Sequence, residues 1–145
     1  MKIYFACSIT GGRGDEPIYQ KIVRFLLDLG HDVPTAIIAK TGFEEIDAVS
    51  DPNDIYQRDV TWIRESDLLI AEISTPSHGV GYEIGYALDL EKPVLCLHGG
   101  EVTVSKMITG NPHPKLTVAS YKKWEEIVGV LHSYLKEAET FIGNN

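Results

Sequence analysis

The sequence predicts an alternating α/β fold built on a five-stranded parallel sheet, and three features carry that expectation. Short apolar runs bounded by turn residues recur at 2–7, 31–33, 68–73, 92–97 and 116–119. Segments with helical apolar spacing lie between them. The run at 68–73, Leu-Leu-Ile-Ala-Glu-Ile, shows no polar alternation, as befits a strand covered on both faces in a parallel sheet. Strict alternation of the two element types gives helices on both faces of the sheet and a flavodoxin-like strand order. At 145 residues the chain forms one domain, residues 1–145, without repeats, linkers or low-complexity tracts.

The first strand, residues 2–7, ends at Ser-Ile-Thr-Gly-Gly-Arg-Gly (8–14). Asp15 is the expected cap of the first helix, with Pro17 in the first turn, where a missing N–H costs nothing. Ile18, Ile22, Phe25, Leu26 and Leu29 make its apolar stripe, and Gly30 suits the position just past its end. Residues 31–33 form a short second strand. Periodicity fails over 34–52: residues 35–39 either extend that strand or begin a lid, and 42–50 are acidic and aperiodic. Asn53 or Asp54 caps a helix running to about residue 65, with Ile55, Asp59, Trp62 and Ile63 on one face. An acid on an apolar stripe is either paired or lines a pocket, because an unpaired buried carboxylate is costly. After the third strand, a helix is expected from Val80, carrying Ile84, Ala87 and Leu88 inward. The fourth strand starts beside Pro93, a short helix falls within 102–108, and Ser120 is the expected cap of the last helix.

Glu83 falls in the first turn of the helix that follows the third strand, at the carboxyl edge of the sheet, where open α/β folds bind ligands. The positive helix end favours an ionised carboxylate there. Such a group serves either as a nucleophile or simply as a first-turn acid complementing the dipole. Two loops at the same edge offer anion contacts: Ser8, Gly11, Gly12 and Arg13 after the first strand, and Ser77, Gly79 and Gly81 after the third. Glycine permits close backbone approach and a helix N-terminus favours phosphate; glycine is also what an ordinary strand-to-helix turn uses.

Other chemistries are disfavoured. A formal net charge of −8 argues against binding nucleic-acid polymers, although it leaves room for one small anion. Hydrophobic and charged contents of 43% and 23% are those of a soluble globular protein, and no run has membrane-spanning length. Lys2 precedes an apolar stretch too short for a secretory signal, so the expected location is cytoplasmic. Cys7 and Cys96 sit in predicted strands and read as buried free thiols. No Gly-Lys-Ser/Thr occurs, the glycines at 79, 81 and 85 miss the dinucleotide spacing, and no Gly-x-Ser-x-Gly elbow exists. The five histidines, His78 beside Glu83 among them, have no metal-site spacing, so neither metal nor cofactor is expected. What remains is a pair of acids, Asp59 and Glu83, beside a phosphate cradle. Two carboxylates flanking a glycosidic carbon are suited to cleavage through an oxocarbenium-like state, and a remote phosphate grip orients the sugar.

Four stretches carry a resemblance: residues 3–13, Ile-Tyr-Phe-Ala-Cys-Ser-Ile-Thr-Gly-Gly-Arg; 56–62, Tyr-Gln-Arg-Asp-Val-Thr-Trp; 76–85, Pro-Ser-His-Gly-Val-Gly-Tyr-Glu-Ile-Gly; and 105–108, Ser-Lys-Met-Ile. In this order, over nearly the whole chain, they resemble the nucleoside 2-deoxyribosyltransferase superfamily, and more closely its 2′-deoxynucleoside 5′-monophosphate N-hydrolase branch. The resemblance implies Glu83 as the nucleophile at C1′, Asp59 as the acid that handles protons or orients, and Tyr4 as a hydrogen-bond donor to the carboxylate. It implies that Ser8, Gly11, Gly12, Arg13 and Ser77 hold the 5′-phosphate of a small deoxynucleotide, with Ile9 and Gly79 also binding the substrate. It further implies a homodimer in which Ser105 and Met107 reach the neighbouring site; without it, Ser105 reads as a helix cap. Thr10 stands where the hydrolase pattern has a basic residue, and 34–52 aligns poorly and governs base choice. Two rivals stay open: a deoxyribosyltransferase passing the sugar to a second base, and a nucleotide-binding sensor without chemistry.

Overall fold

The computed structural model describes residues 1–9, 16–38, 45 and 48–142, with only the backbone of Glu16. The predicted cap Asp15 and most of the aperiodic stretch at 39–47 lie outside these residues. Among the described residues, four parallel strands form one sheet in the order β1-β2-β3-β4: β1 Ile3–Ala6, β2 Leu68–Glu72, β3 Val94–Gly99 and β4 Leu116–Tyr121. The helices are α1 Glu16–Asp28, α2 Pro52–Glu65, α3 His78–Asp89, the single turn α4 Lys106–Thr109, and α5 Trp124–Ile142. No helix among the described residues is long and apolar enough to cross a membrane.

The expected second strand shrinks to one parallel bridge, Lys2 with Asp32, on the side of β1 away from β2. Pro34 has no N–H to continue a ladder, and the chain turns instead into a 3₁₀ helix, Pro34–Ile37. Its buried Thr35 substitutes for the missing ladder. The Thr35 hydroxyl accepts the Phe5 N–H at 2.9 Å, while Ile3 N–H bonds to the Asp32 carbonyl at 2.7 Å. The edge of β1 is thus satisfied without a fifth full strand, and the predicted position of segment 31–33 survives even though its ladder does not.

Alternation along the strands sorts the core into two layers. Ile3, Phe5, Leu68, Ile70, Leu95 and Leu97 pack toward α1 and α5; Tyr4, Ala6, Leu69, Ala71, Val94 and Cys96 pack toward α2 and α3. On α1, Tyr19, Ile22, Val23 and Leu26 are buried, whereas Leu29, expected on the stripe, is exposed because the helix stops at Asp28. Gly30 ends it at φ +84°, a conformation open to glycine without strain.

Two caps differ from expectation. Asp51, rather than Asn53 or Asp54, caps α2, its carboxylate accepting Asn53 N–H at 2.9 Å with Pro52 at the first helical position. Ser120 is part of a strand instead of a cap: β4 runs on to the buried Tyr121 and α5 begins at Trp124. Cys7 and Cys96 are buried free thiols.

Candidate active site

Tyr4 and Glu83 meet across the layer between the sheet and α3. Tyr4 is the second residue of β1 and points toward α2 and α3, where its ring is fully buried. Its hydroxyl donates to Glu83 Oε1 at 2.6 Å, a short charge-assisted bond if the carboxylate is ionised. Ser77, not Val80, sets the start of α3: its hydroxyl accepts Val80 N–H at 3.3 Å and the helix runs from His78, itself exposed. Glu83 therefore lies in the second turn, not the first, and the helix end does less for it than expected, since that field fades beyond one turn.

Burial decides its ionisation instead. Enclosure in an apolar layer raises the Glu83 carboxyl from the usual range to about 8. The Tyr4 hydrogen bond works against that rise, the Asp59 charge adds to it, and Arg58 again opposes it. Burial, followed by the charges of Glu83 and Asp59, raises the Tyr4 hydroxyl far above its ordinary value, so it is held as a neutral donor. The expectation that the helix dipole keeps Glu83 ionised is corrected: burial favours the protonated acid near neutral pH.

Asp59, the acid on the apolar face of α2, is paired. Arg58 Nε donates to Asp59 Oδ1 at 2.8 Å, and the Arg58 guanidinium lies 5.2 Å from the centre of the Trp62 ring. Asp59 is also near enough for its charge to act on both Glu83 and Tyr4. Both acids keep some exposure to solvent. Tyr4, Asp59 and Glu83 are therefore one electrostatic unit, which Arg58 joins. The sequence offers Arg58 only as a partner for Asp59; an Arg beside an Asp on a helix carries no signal that it also acts on a Glu in the next helix.

The remaining predicted residues divide. Ser8 is fully buried, and its hydroxyl has no hydrogen-bond partner among the described residues; Ile9 beside it is half-buried against the core. Gly11, Gly12 and Arg13 lie outside the described residues. Gly79 is exposed at the start of α3, and a Cβ added there would meet nothing closer than the Ser77 hydroxyl at 3.8 Å. Ser77 also borders a cavity of about 690 Å³ between the first half of α3 and residues 103–111, with Val80, Ile84, Ser105, Met107 and Ile108 on its walls. Ser105 caps α4, its hydroxyl accepting Met107 N–H at 3.2 Å, and Met107 is 84% exposed. Tyr4, Asp59 and Glu83 are not among the residues that line this cavity, although Ile84 and Gly85, next to Glu83 in the chain, are.

A family model described as nucleoside 2-deoxyribosyltransferase matches residues 3–123. The chain belongs to that family. Among its relatives, a Syntrophotalea carbinolica protein provisionally named 2′-deoxynucleoside 5′-phosphate N-hydrolase 1 is 41% identical over 139 residues, covering 94% of this chain and 96% of the other. An Esox lucius protein named 5-hydroxymethyl-dUMP N-hydrolase is 40% identical over 141 residues, covering 94% and 97%. Among solved structures, a Clostridium botulinum CMP N-glycosidase shares the fold with a TM-score of 0.67 at 22% identity, over 91% of this chain and 99% of the other. The family's fold is thus the one seen here.

Proposed function

We propose that this family member hydrolyses the N-glycosidic bond of 2′-deoxynucleoside 5′-monophosphates, giving free base and 2-deoxyribose 5-phosphate. The contact between Tyr4 and Glu83, with Asp59 and Arg58 acting on the same carboxylate, carries the reading. Relatives about as similar as 40% over nearly the whole chain bear hydrolase names of that class.

Ionised Glu83 attacks C1′. The C1′–N bond breaks, and the base leaves with its electron pair and takes up one proton, with Asp59 handling or orienting that transfer. Water then attacks C1′ and gives up a proton, and the ester oxygen of Glu83 returns as a carboxylate. Tyr4 holds the carboxylate in line, and because its bond favours the charged form it lowers the cost of reaching the reactive state. Ser8, Gly11, Gly12, Arg13 and Ser77 hold the 5′-phosphate, and Ile9 and Gly79 complete the substrate site. The buried hydroxyl of Ser8, unpartnered among the described residues, supports this, since such a group is costly unless a ligand completes it. The enzyme works in the cytoplasm as a homodimer, with Ser105 and Met107 of one protomer completing the other's site. The high exposure of Met107, an apolar side chain at the mouth of a cavity, supports that arrangement.

The family's description favours one alternative, transfer of the deoxyribosyl group to a second base. Incubation of a panel of deoxynucleoside monophosphates with and without acceptor base separates the two. Base release without acceptor is the expected result; product only with acceptor assigns transfer instead.

A further inference from the structure

Glu72 closes β2 with its side chain 0% exposed, the only acid in a strand otherwise made of Leu, Ile and Ala. A carboxylate in that position is expensive, and an apolar residue of similar volume would hold the sheet as well. Alternation along β2 sends it toward α1 and α5, away from the layer that holds Tyr4 and Glu83, so it does not touch a sugar lying against Glu83. Its partners say what it does. Glu72 Oε1 accepts hydrogen bonds from the Ser74 hydroxyl and, at 2.9 Å, from the Tyr121 hydroxyl. Both carboxylate oxygens lie 3.3 Å from the Ser74 backbone nitrogen. The Ser74 hydroxyl in turn accepts Gly99 N–H at 2.9 Å.

Ser74 is thereby tied to the ends of β2 and β3 directly, and through Glu72 to Tyr121 at the end of β4. It stands three residues before Ser77, the cap from which α3 and Glu83 are launched. We infer that Glu72 is a positioning residue: through Ser74 it fixes the loop 73–77 and so sets where Ser77 meets the 5′-phosphate. The inference rests on the proposed reading of the site.

The test uses Glu72→Leu, which removes both acceptor oxygens at similar volume, and Ser74→Ala, which removes the intermediary. In each, KM for a deoxynucleoside monophosphate rises about 10-fold or more while kcat changes less than about 3-fold, and the double variant is no worse than either single one because both act through one contact chain. Tyr121→Phe, which spares the Glu72–Ser74 contact, lowers the unfolding temperature but leaves both constants within about twofold. Unchanged KM in folded Glu72→Leu and Ser74→Ala, with only the unfolding temperature reduced, overturns the inference and makes Glu72 a purely structural acid. Calorimetric affinity for the same monophosphate in wild type and variants reads the positioning role without turnover. A wild-type protein that binds but releases no base therefore refutes the hydrolase reading separately from this one.

Discussion

A carboxylic acid whose own fold keeps it protonated near neutral pH, yet which accepts a 2.6 Å bond from a buried phenol, is poised rather than spent. For Glu83 the largest influence is burial, and the neighbours tune it in opposite directions. Removing the Tyr4 donor by Tyr4→Phe raises the Glu83 pKa further, and Asp59→Asn lowers it by removing a like charge. The acid limb of the pH profile of kcat/KM, set near pH 8 in the wild-type enzyme, accordingly moves to higher pH in the first variant and lower pH in the second. Limbs that do not move, or move the same way, refute the assignment to Glu83. Glu83→Gln lowers kcat by at least about 10³-fold, as expected of the nucleophile proposed above. The same substitution has a stability signature. The folded state holds the Glu83 proton up to about pH 8 whereas the unfolded chain releases it near the ordinary carboxyl value, so stability falls as pH rises through that interval. Thermal unfolding from pH 4 to 9 should show Glu83→Gln gaining on wild type as pH rises, with the gain levelling off above about pH 8; parallel curves refute it.

At the scale of elements, what the sequence shows clearly is whatever depends on period. The apolar runs of β2 and β3 and the inward residues of α3, Val80, Ile84, Ala87 and Leu88, are readable because side-chain direction repeats every two or 3.6 residues. What depends on one distant partner is not. Residues 31–33 have strand composition, but Pro34 and the Thr35 hydroxyl replace the ladder; Ser120 has cap chemistry, but Tyr121 is drawn into the sheet by Glu72, 49 positions away. In the sequence Glu72 is only a polar interruption of an apolar run. The site shows the same division: Glu83, Asp59 and Tyr4 are nameable from motif, whereas the burial that sets the Glu83 proton is a tertiary property. Helix α3 also carries glycine at 81 and 85, where an added Cβ would meet nothing within 4 Å of the same chain. Gly81→Ala should therefore stabilise the isolated fold by about 0.5–1 kcal/mol through helix propensity, read by chemical denaturation at low protein concentration. A loss of stability there would place an unseen close contact on that face within the protomer.

At the scale of the whole molecule, the proposed function asks two groups of residues to serve one reaction. Tyr4, Asp59 and Glu83 form one group, while Ser105 and Met107 border a cavity those acids do not line. Two copies related by a twofold axis bring the groups into one site if each lends its 105–107 segment to the other. Mixing inactive variants tests this directly. Glu83→Gln lacks the nucleophile but offers intact Ser105 and Met107; a Ser105→Ala, Met107→Ala double variant has the reverse defect. After subunit exchange in an equal mixture, about half the dimers are mixed and each has one complete site, so activity recovers to about a quarter of wild type. If each protomer is self-sufficient, the mixture shows only the average of its two components at any protein concentration and after any exchange time. That result would leave Ser105 as the cap of α4 and nothing more.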